Sequence, residues 1–295
     1  MNTKKVWRTL PAQIIDMGGL PVKQALPTQN VANIDPFLLL HHGQIKPIFK
    51  RPANVQGVGP HPHRGFSPVT FVIEGEVHHR DSRGNSQIAK SGEVQWMHAG
   101  MGIIHSERPT ENAIEKKMSQ EMVQLWINSP ASAKMKEPEY VHVNESDFPR
   151  IPTEDGLSDI KLISGNYSNE NQSQLKGKIN GESELLITWG VTKSEGKVSF
   201  IIPEGFNASL YIIRGDIRIE GHGLVDPESL VVFEIDAGSI SFEAKSDAQY
   251  LLLAGEPINE KVVQQGPFVM NTETQILEAM RDYQMGKMGF LVEED

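Results

Sequence analysis

Apolar residues along this chain come in short runs rich in Val, Ile, Leu and Phe, separated by turn clusters such as "DSRGN", "KSGE", "HAGMG", "GHG" and "DAGS". Many short runs bounded in this way predict the antiparallel strands of an all-β sandwich or barrel. Helical periodicity is scarce. Its clearest instance is "NTETQILEAMRDYQMG" near the end. There Thr272 and Gln275 stand at capping-box spacing, Ile276, Met280 and Tyr283 recur at helical spacing, and Gly286 supplies a stop. A weaker helical pattern covers 112–122, and the polar run "GNYSNENQSQ" (165–174) reads as a loop.

The strand pattern repeats. "HRGFSPVTFVIEGEVHHRD", from His63, parallels "PEGFNASLYIIRGDIRIEG", from Pro203. Gly65-Phe66 matches Gly205-Phe206, Gly75-Glu76 matches Gly215-Asp216, and "EVQWMHAG" is echoed by "VVFEIDAG", ending at Gly100 and Gly238. Matched order over several elements predicts a duplicated β domain. Two domains are therefore expected, 1–132 and 133–295, joined near "NSPASAKMKEPEY". The alignment sets His61 and His63 against Ile201 and Pro203, and His105 and Glu107 near Glu243 and Lys245. Eight of the ten histidines lie at or before position 105, so a metal site is expected in the first repeat only.

Composition narrows the chemistry. The chain has 295 residues and no cysteine, which excludes disulfides, thiolate metal sites and a cysteine nucleophile. A net charge of −10 argues against direct nucleic-acid binding. The N-terminus has no apolar run after its lysines, and no stretch approaches the roughly 20 apolar residues of a membrane span. A soluble cytoplasmic protein with no membrane contact is the expectation.

The candidate ligands lie in "GPHPHRGF" and "GIIHSE". Residues i and i+2 of a strand share a face. His61 and His63 therefore project together, and so do His105 and Glu107. Two such pairs meeting inside a small barrel give three imidazoles and one carboxylate, a set that suits Fe, Zn, Mn, Ni, Cu or Co. Four protein ligands leave two positions of an octahedral ion open for oxygen or a chelating substrate. The adjacent pairs His41-His42 and His78-His79 are expected at a rim or solvated face, because neighbours in a strand face opposite ways. His98 is a possible outer neighbour of the site, and Arg64 is expected to orient a group near the ligands or to pair with a carboxylate.

At these residues the sequence resembles the pirin family of the cupin superfamily. The resemblance rests on "HPHRGF", "QWM-AG-GI-H-E" and "QLWIN", and extends to "DPFLLLHH", "KMKEPEY" and "GPFVMNTETQI" over nearly the whole chain. It implies a bicupin: two antiparallel β-barrels with a few short helices, one of them near the C-terminus. It also implies one divalent metal per chain, Fe²⁺ foremost, held by His61, His63, His105 and Glu107. The glutamate usual in the first cupin motif is absent, those positions being Ser67 and Pro68. Some bacterial pirins resemble quercetin 2,3-dioxygenases, and eukaryotic members are described as nuclear cofactors whose partner binding depends on iron.

The expected activity is opening of flavonols such as quercetin. A small aromatic substrate and O₂ would be the partners, with Glu107 as the catalytic proton acceptor. Phe66, Met97, Met101 and Gln124 are the candidate substrate-binding residues, and Trp96 is a further candidate for the lining. The alternative is a metal-dependent regulator that binds a protein partner without turnover. A cupin isomerase or epimerase is a third, weaker reading.

Overall fold

Alternating exposure makes the strands. In Lys197–Ile202 the buried residues are Val198, Phe200 and Ile202, with Lys197 and Ser199 outward. The same period of two recurs in Glu76–Asp81, where Val77, His79 and Asp81 are buried. A computed structural model describes residues 3–168 and 174–293, and these are mostly β. None of its helices is long and apolar enough to cross a membrane.

By contacts the chain divides into two units. One comprises Ile15–Val22, Phe37–Glu145 and Ile258–Asp295; the other comprises Met1–Ile14, Lys23–Pro36 and Ser146–Pro257. The expected domains, 1–132 and 133–295, follow the sequence and do not coincide with this division. Val6–Pro11 forms a ladder with Ser229–Phe233, deep in the second half. The segment from Ile258 onward packs Phe268 and Met270 against Ile104, in the first half. Local composition does not reveal which sheet edge a terminal strand will join.

In the unit holding most of the first half, one sheet runs in the order Glu139–Val143, Val94–His98, Phe66–Glu74, Gln120–Asn128, Phe37–Ile45. The other runs Val58–His63, Ile103–Pro109, Glu76–Asp81, Ser86–Lys90. The second unit repeats the short sheet with Lys197–Ile202, Gly238–Ala244, Ile217–Ile219 and Gly223–Val225. Both units are cupin-like. This is the expected bicupin, with sheets that do not close fully: Val58–His63 and Ser86–Lys90 each pair on one side only.

The C-terminal helix is Glu273–Gln284. Gln275 N donates to Thr272 Oγ1 at 3.2 Å and Thr272 N donates to Gln275 Oε1 at 3.0 Å, completing the capping box. Ile276 and Ala279 form its buried stripe, and Gly286 ends it at φ +73°. The helix expected over 112–122 is only Glu111–Glu115, because Lys117 turns to φ +52° and the strand Gln120–Asn128 follows. In the expected loop, Asn166–Tyr167 pairs with Leu175–Lys176; 169–173 lie outside the described residues.

The registers correct the alignment of the repeats. His105 lies opposite His61, and Glu107 opposite His79. In the second unit Ile240 lies opposite Phe200, and Phe242 opposite Ile219. With the Gly75 and Gly215 turns matched, the counterparts of His61, His63, His79, His105 and Glu107 are Phe200, Ile202, Ile219, Ile240 and Phe242. The sequence alignment was out of phase: Ile201 is only partly buried and Pro203 is exposed, so neither continues the inward row. Where the first unit has candidate ligand residues, the second has buried apolar side chains.

Candidate metal centre

Val58–His63 and Ile103–Pro109 are paired antiparallel, which sets the two ligand pairs side by side. The ligand nitrogens of His61, His63 and His105 lie within 4.8 Å of one another. Ring centroids are 4.7 Å apart for His61 and His63, 4.3 Å for His61 and His105, and 4.9 Å for His63 and His105. His61 Nδ1 donates to the Gly59 carbonyl at 2.8 Å, which leaves Nε2 with its lone pair. Both ring nitrogens of His63 and Nε2 of His105 are buried without a hydrogen-bond partner.

A buried polar atom left unpaired costs about 1–3 kcal/mol, so unpaired nitrogens on two neighbouring buried imidazoles, His63 and His105, need a reason. A metal ion supplies it: neutral imidazoles without sulfur suit a divalent transition ion. Burial pushes the pKa of His105 and His63 well below the usual imidazole range, and the neighbouring imidazoles push the same way. For His61 burial lowers the pKa, while the Gly59 carbonyl and the Glu107 charge oppose it. Ligands kept neutral need not shed a proton on binding the ion.

Glu107 stands beside this cluster rather than in its midst. Its Oε1 accepts from Thr70 Oγ1 at 2.9 Å and from Gln95 Nε2 at 2.6 Å, and its Oε2 accepts from Gln124 Nε2 at 2.9 Å. All three donors are neutral. They come from three neighbouring strands at one level, Gln124 opposite Thr70 and Thr70 opposite Gln95. Tyr140 Oη donates to Gln95 Oε1 at 3.1 Å and so fixes that amide with its nitrogen toward Glu107. Burial, with the charges of Glu107 and Asp81, pushes the Tyr140 phenol up.

A small cavity of about 10 Å³, room for about one water molecule, adjoins these groups, lined by Pro68, Thr70, His79, Gln95, Met97, His105, Glu107 and Tyr140. Among the proposed substrate-binding residues, Met97 lines it. Gln124 holds Glu107 instead, and Phe66 packs edge-on to His63 with centroids 5.1 Å apart. Met101 sits in a turn where its carbonyl accepts from Arg64 Nε at 2.6 Å. Trp96 is buried on the opposite face of its strand from Met97. His98 bonds Ser67 at 3.0 Å, also on that opposite face. Arg64 is buried and pairs with Asp282 of the C-terminal helix at 3.1 Å.

Of the adjacent histidine pairs, expected at a rim or solvated face, His78 alone is partly exposed. His41, His42 and His79 are all buried, with His42 bonded to Glu121 at 2.8 Å and His79 to Asp81 at 3.1 Å. Thr70, Gln95, Tyr140 and Asp81 were missed altogether. Part of that was available, since Gln95 lies two residues before the inward Met97.

Comparison with known proteins agrees with this fold. Residues 19–127 match the Pirin family model, and 191–289 match the Pirin C-terminal cupin domain. A Pseudomonas aeruginosa protein, provisionally named a quercetin 2,3-dioxygenase, is 35% identical over 272 residues, covering 91% of this chain and 92% of that protein. A pirin-like protein of Solanum lycopersicum is 34% identical, covering 92% and 88%. The crystal structure of quercetin 2,3-dioxygenase from Acinetobacter baumannii superposes with a TM-score of 0.89 at 32% identity, covering 99% of this chain and all of that one. With this similarity over both cupin-like units, the chain belongs to the pirin family.

Proposed function

We propose that this chain is a mononuclear non-haem metal protein that opens flavonols such as quercetin with O₂. The observation that carries the reading is the cluster of three imidazoles, one of which, His105, lines a cavity together with the Glu107 carboxylate. His61, His63 and His105 hold the ion, and Glu107 completes the set. Fe²⁺ is the expected ion, one per chain, and it supplies Lewis acidity and a place to hold substrate next to O₂. The names of the Pseudomonas and Acinetobacter relatives support the substrate class.

The protein's own groups divide the remaining work. Glu107 Oε2, with a single bond from Gln124, keeps a lone pair that can take the flavonol hydroxyl proton. Thr70 and Gln95 hold Oε1 and fix the orientation of the carboxylate. Met97 and Pro68 give the cavity an apolar wall suited to a flat ring.

The cavity's size favours keeping a second reading. At about 10 Å³ it falls far below the roughly 300 Å³ low end of small-molecule sites. A three-ring flavonol therefore requires the wall to open. If the wall stays closed, the metal-dependent interaction protein is the better description, with a protein partner in place of a substrate.

Oxygen uptake separates the two. The Fe²⁺-loaded chain should consume O₂ with quercetin, and the metal-free chain should not. Absence of uptake with flavonols after loading with Fe²⁺, and separately with Mn, Co, Ni, Cu and Zn, would defeat the dioxygenase reading. Saturable partner binding without turnover would then support the regulator.

A further inference from the structure

Behind His105 lies a chain of polar groups that no catalytic step above uses. His105 Nδ1 is 3.4 Å from Nδ1 of His79. His79 Nε2 is 3.1 Å from Asp81 Oδ2, and both side chains are buried. Asp81 is itself fixed: Oδ1 accepts from the backbone N–H of Arg83 at 2.9 Å and of Asn85 at 3.1 Å, and Oδ2 accepts from Asn85 Nδ2 at 2.8 Å. The His79 ring stacks on Tyr140 with centroids 4.1 Å apart and planes 15° from parallel.

With both imidazoles neutral, the donors and acceptors permit one assignment. Every bond to Asp81 brings it a donor, so its carboxylate accepts throughout and His79 Nε2 carries the hydrogen. A neutral His79 then has only a lone pair at Nδ1. His105 Nδ1 must donate to it, which leaves the lone pair of His105 at Nε2. That Nε2 is the buried atom without a partner, at the three-imidazole cluster.

We infer that Asp81 and His79 are positioning residues that lock His105 in the tautomer and ring orientation needed to bind a metal through Nε2. The inference rests on the reading of His61, His63 and His105 as metal ligands. Metal-bound histidines commonly donate their second ring nitrogen to such a partner, and removing that partner costs about 10- to 100-fold in affinity. In the second unit the counterpart of His79 is Ile219, so this support is lost together with the ligands.

The test uses Co²⁺ and the full chain, with affinity measured by competition against a chromophoric chelator and the Co²⁺ d–d spectrum recorded. His79→Phe keeps a ring against Tyr140 but removes both hydrogen bonds. His79→Asn keeps an acceptor near the Nδ1 position but loses the ring. If His79 acts through its Nδ1, H79F loses about 10- to 100-fold in Co²⁺ affinity and changes the spectrum, while H79N stays closer to wild type. If His79 only fills space, the order reverses. Asp81→Asn, which sets a donor against His79 Nε2, should also weaken Co²⁺ binding, and adding H79F to it should cost little more. D81N keeps the question open to test if H79F does not fold, as judged by circular dichroism of the apo-protein. Any other order of affinities, or a D81N variant that binds like wild type, overturns the inference. A wild-type chain that binds no Co²⁺ would overturn the metal centre itself, which is a distinct outcome.

Discussion

Gln124 donates from Nε2 to Oε2 of Glu107 at 2.9 Å, reaching across from the facing sheet to the strand that carries His105. With Thr70 and Gln95 it forms a cradle of neutral donors. Glu107→Gln places an amide nitrogen against one of those donors. Gln95 is pinned by Tyr140, so the mismatch falls on Gln124, whose amide can turn. The expected costs are about 1 kcal/mol of stability, less than tenfold in metal affinity, and about 100-fold or more in turnover, since a general base contributes about 10² to 10⁴. Thermal melts, chelator competition and O₂ uptake read the three. Equal losses of metal and turnover would mean that Glu107 acts only as a ligand.

Elemental analysis should find one ion per chain. His63→Ala should abolish it while leaving the apo-protein folded, because the second unit and the outer strands do not depend on that ring. Metal loading should raise the melting temperature of wild type by mass action and leave that of H63A unchanged. Two ions per chain would contradict the assignment.

The second unit has Phe200 where the first has His61, inside a continuous apolar cluster with Phe242 and Tyr250. Phe200→Ala should cost about 3–5 kcal/mol. Metal stoichiometry should stay the same. Loss of the metal on this change would show that the two units share the site.

Lys134 gives a pH prediction. Its buried ammonium donates to the Gly65 carbonyl and Asn128 Oδ1, both at 2.7 Å, and burial lowers its pKa from 10.5 to about 8. Below pH 8 the lysine is protonated whether folded or unfolded, so its contribution is flat. Between pH 8 and 10.5 the unfolded chain binds the extra proton, so stability rises with pH. Relative to Lys134→Met, wild type should gain up to roughly 3 kcal/mol across that window. Chemical denaturation at pH 7.5, 9 and 10.5 checks it, and a constant difference would show that the lysine is not lowered.

Gly65 shows how tightly the loop after the ligands is built. It has φ +85°, and a Cβ would come within 2.0 Å of the Val269 carbonyl oxygen. Gly65→Ala should destabilise the apo-protein by more than the roughly 1 kcal/mol of an ordinary glycine replacement, because backbone on both sides must move. A melt unchanged from wild type would refute this.

The sequence by itself determined the strands, the C-terminal helix, the duplication and the pairing of His61 with His63 and His105 with Glu107. Each of these is local: alternation needs only neighbours, a capping box spans four residues, and i and i+2 share a face whatever lies opposite. Tertiary structure decided the rest. Sequence period says that His79 and Asp81 share a face, but not that this face looks at His105, because register is fixed by long-range ladders. Thr70, Gln95 and Gln124 come from three strands far apart in sequence and meet at Glu107 only when those strands pair. A one-residue slip turns a strand's whole inward set outward, which is how the sequence alignment put Ile201 in place of Phe200. The exchange of terminal segments between the units was likewise invisible, since nothing in Val6–Pro11 marks the Ser229–Phe233 edge that it joins.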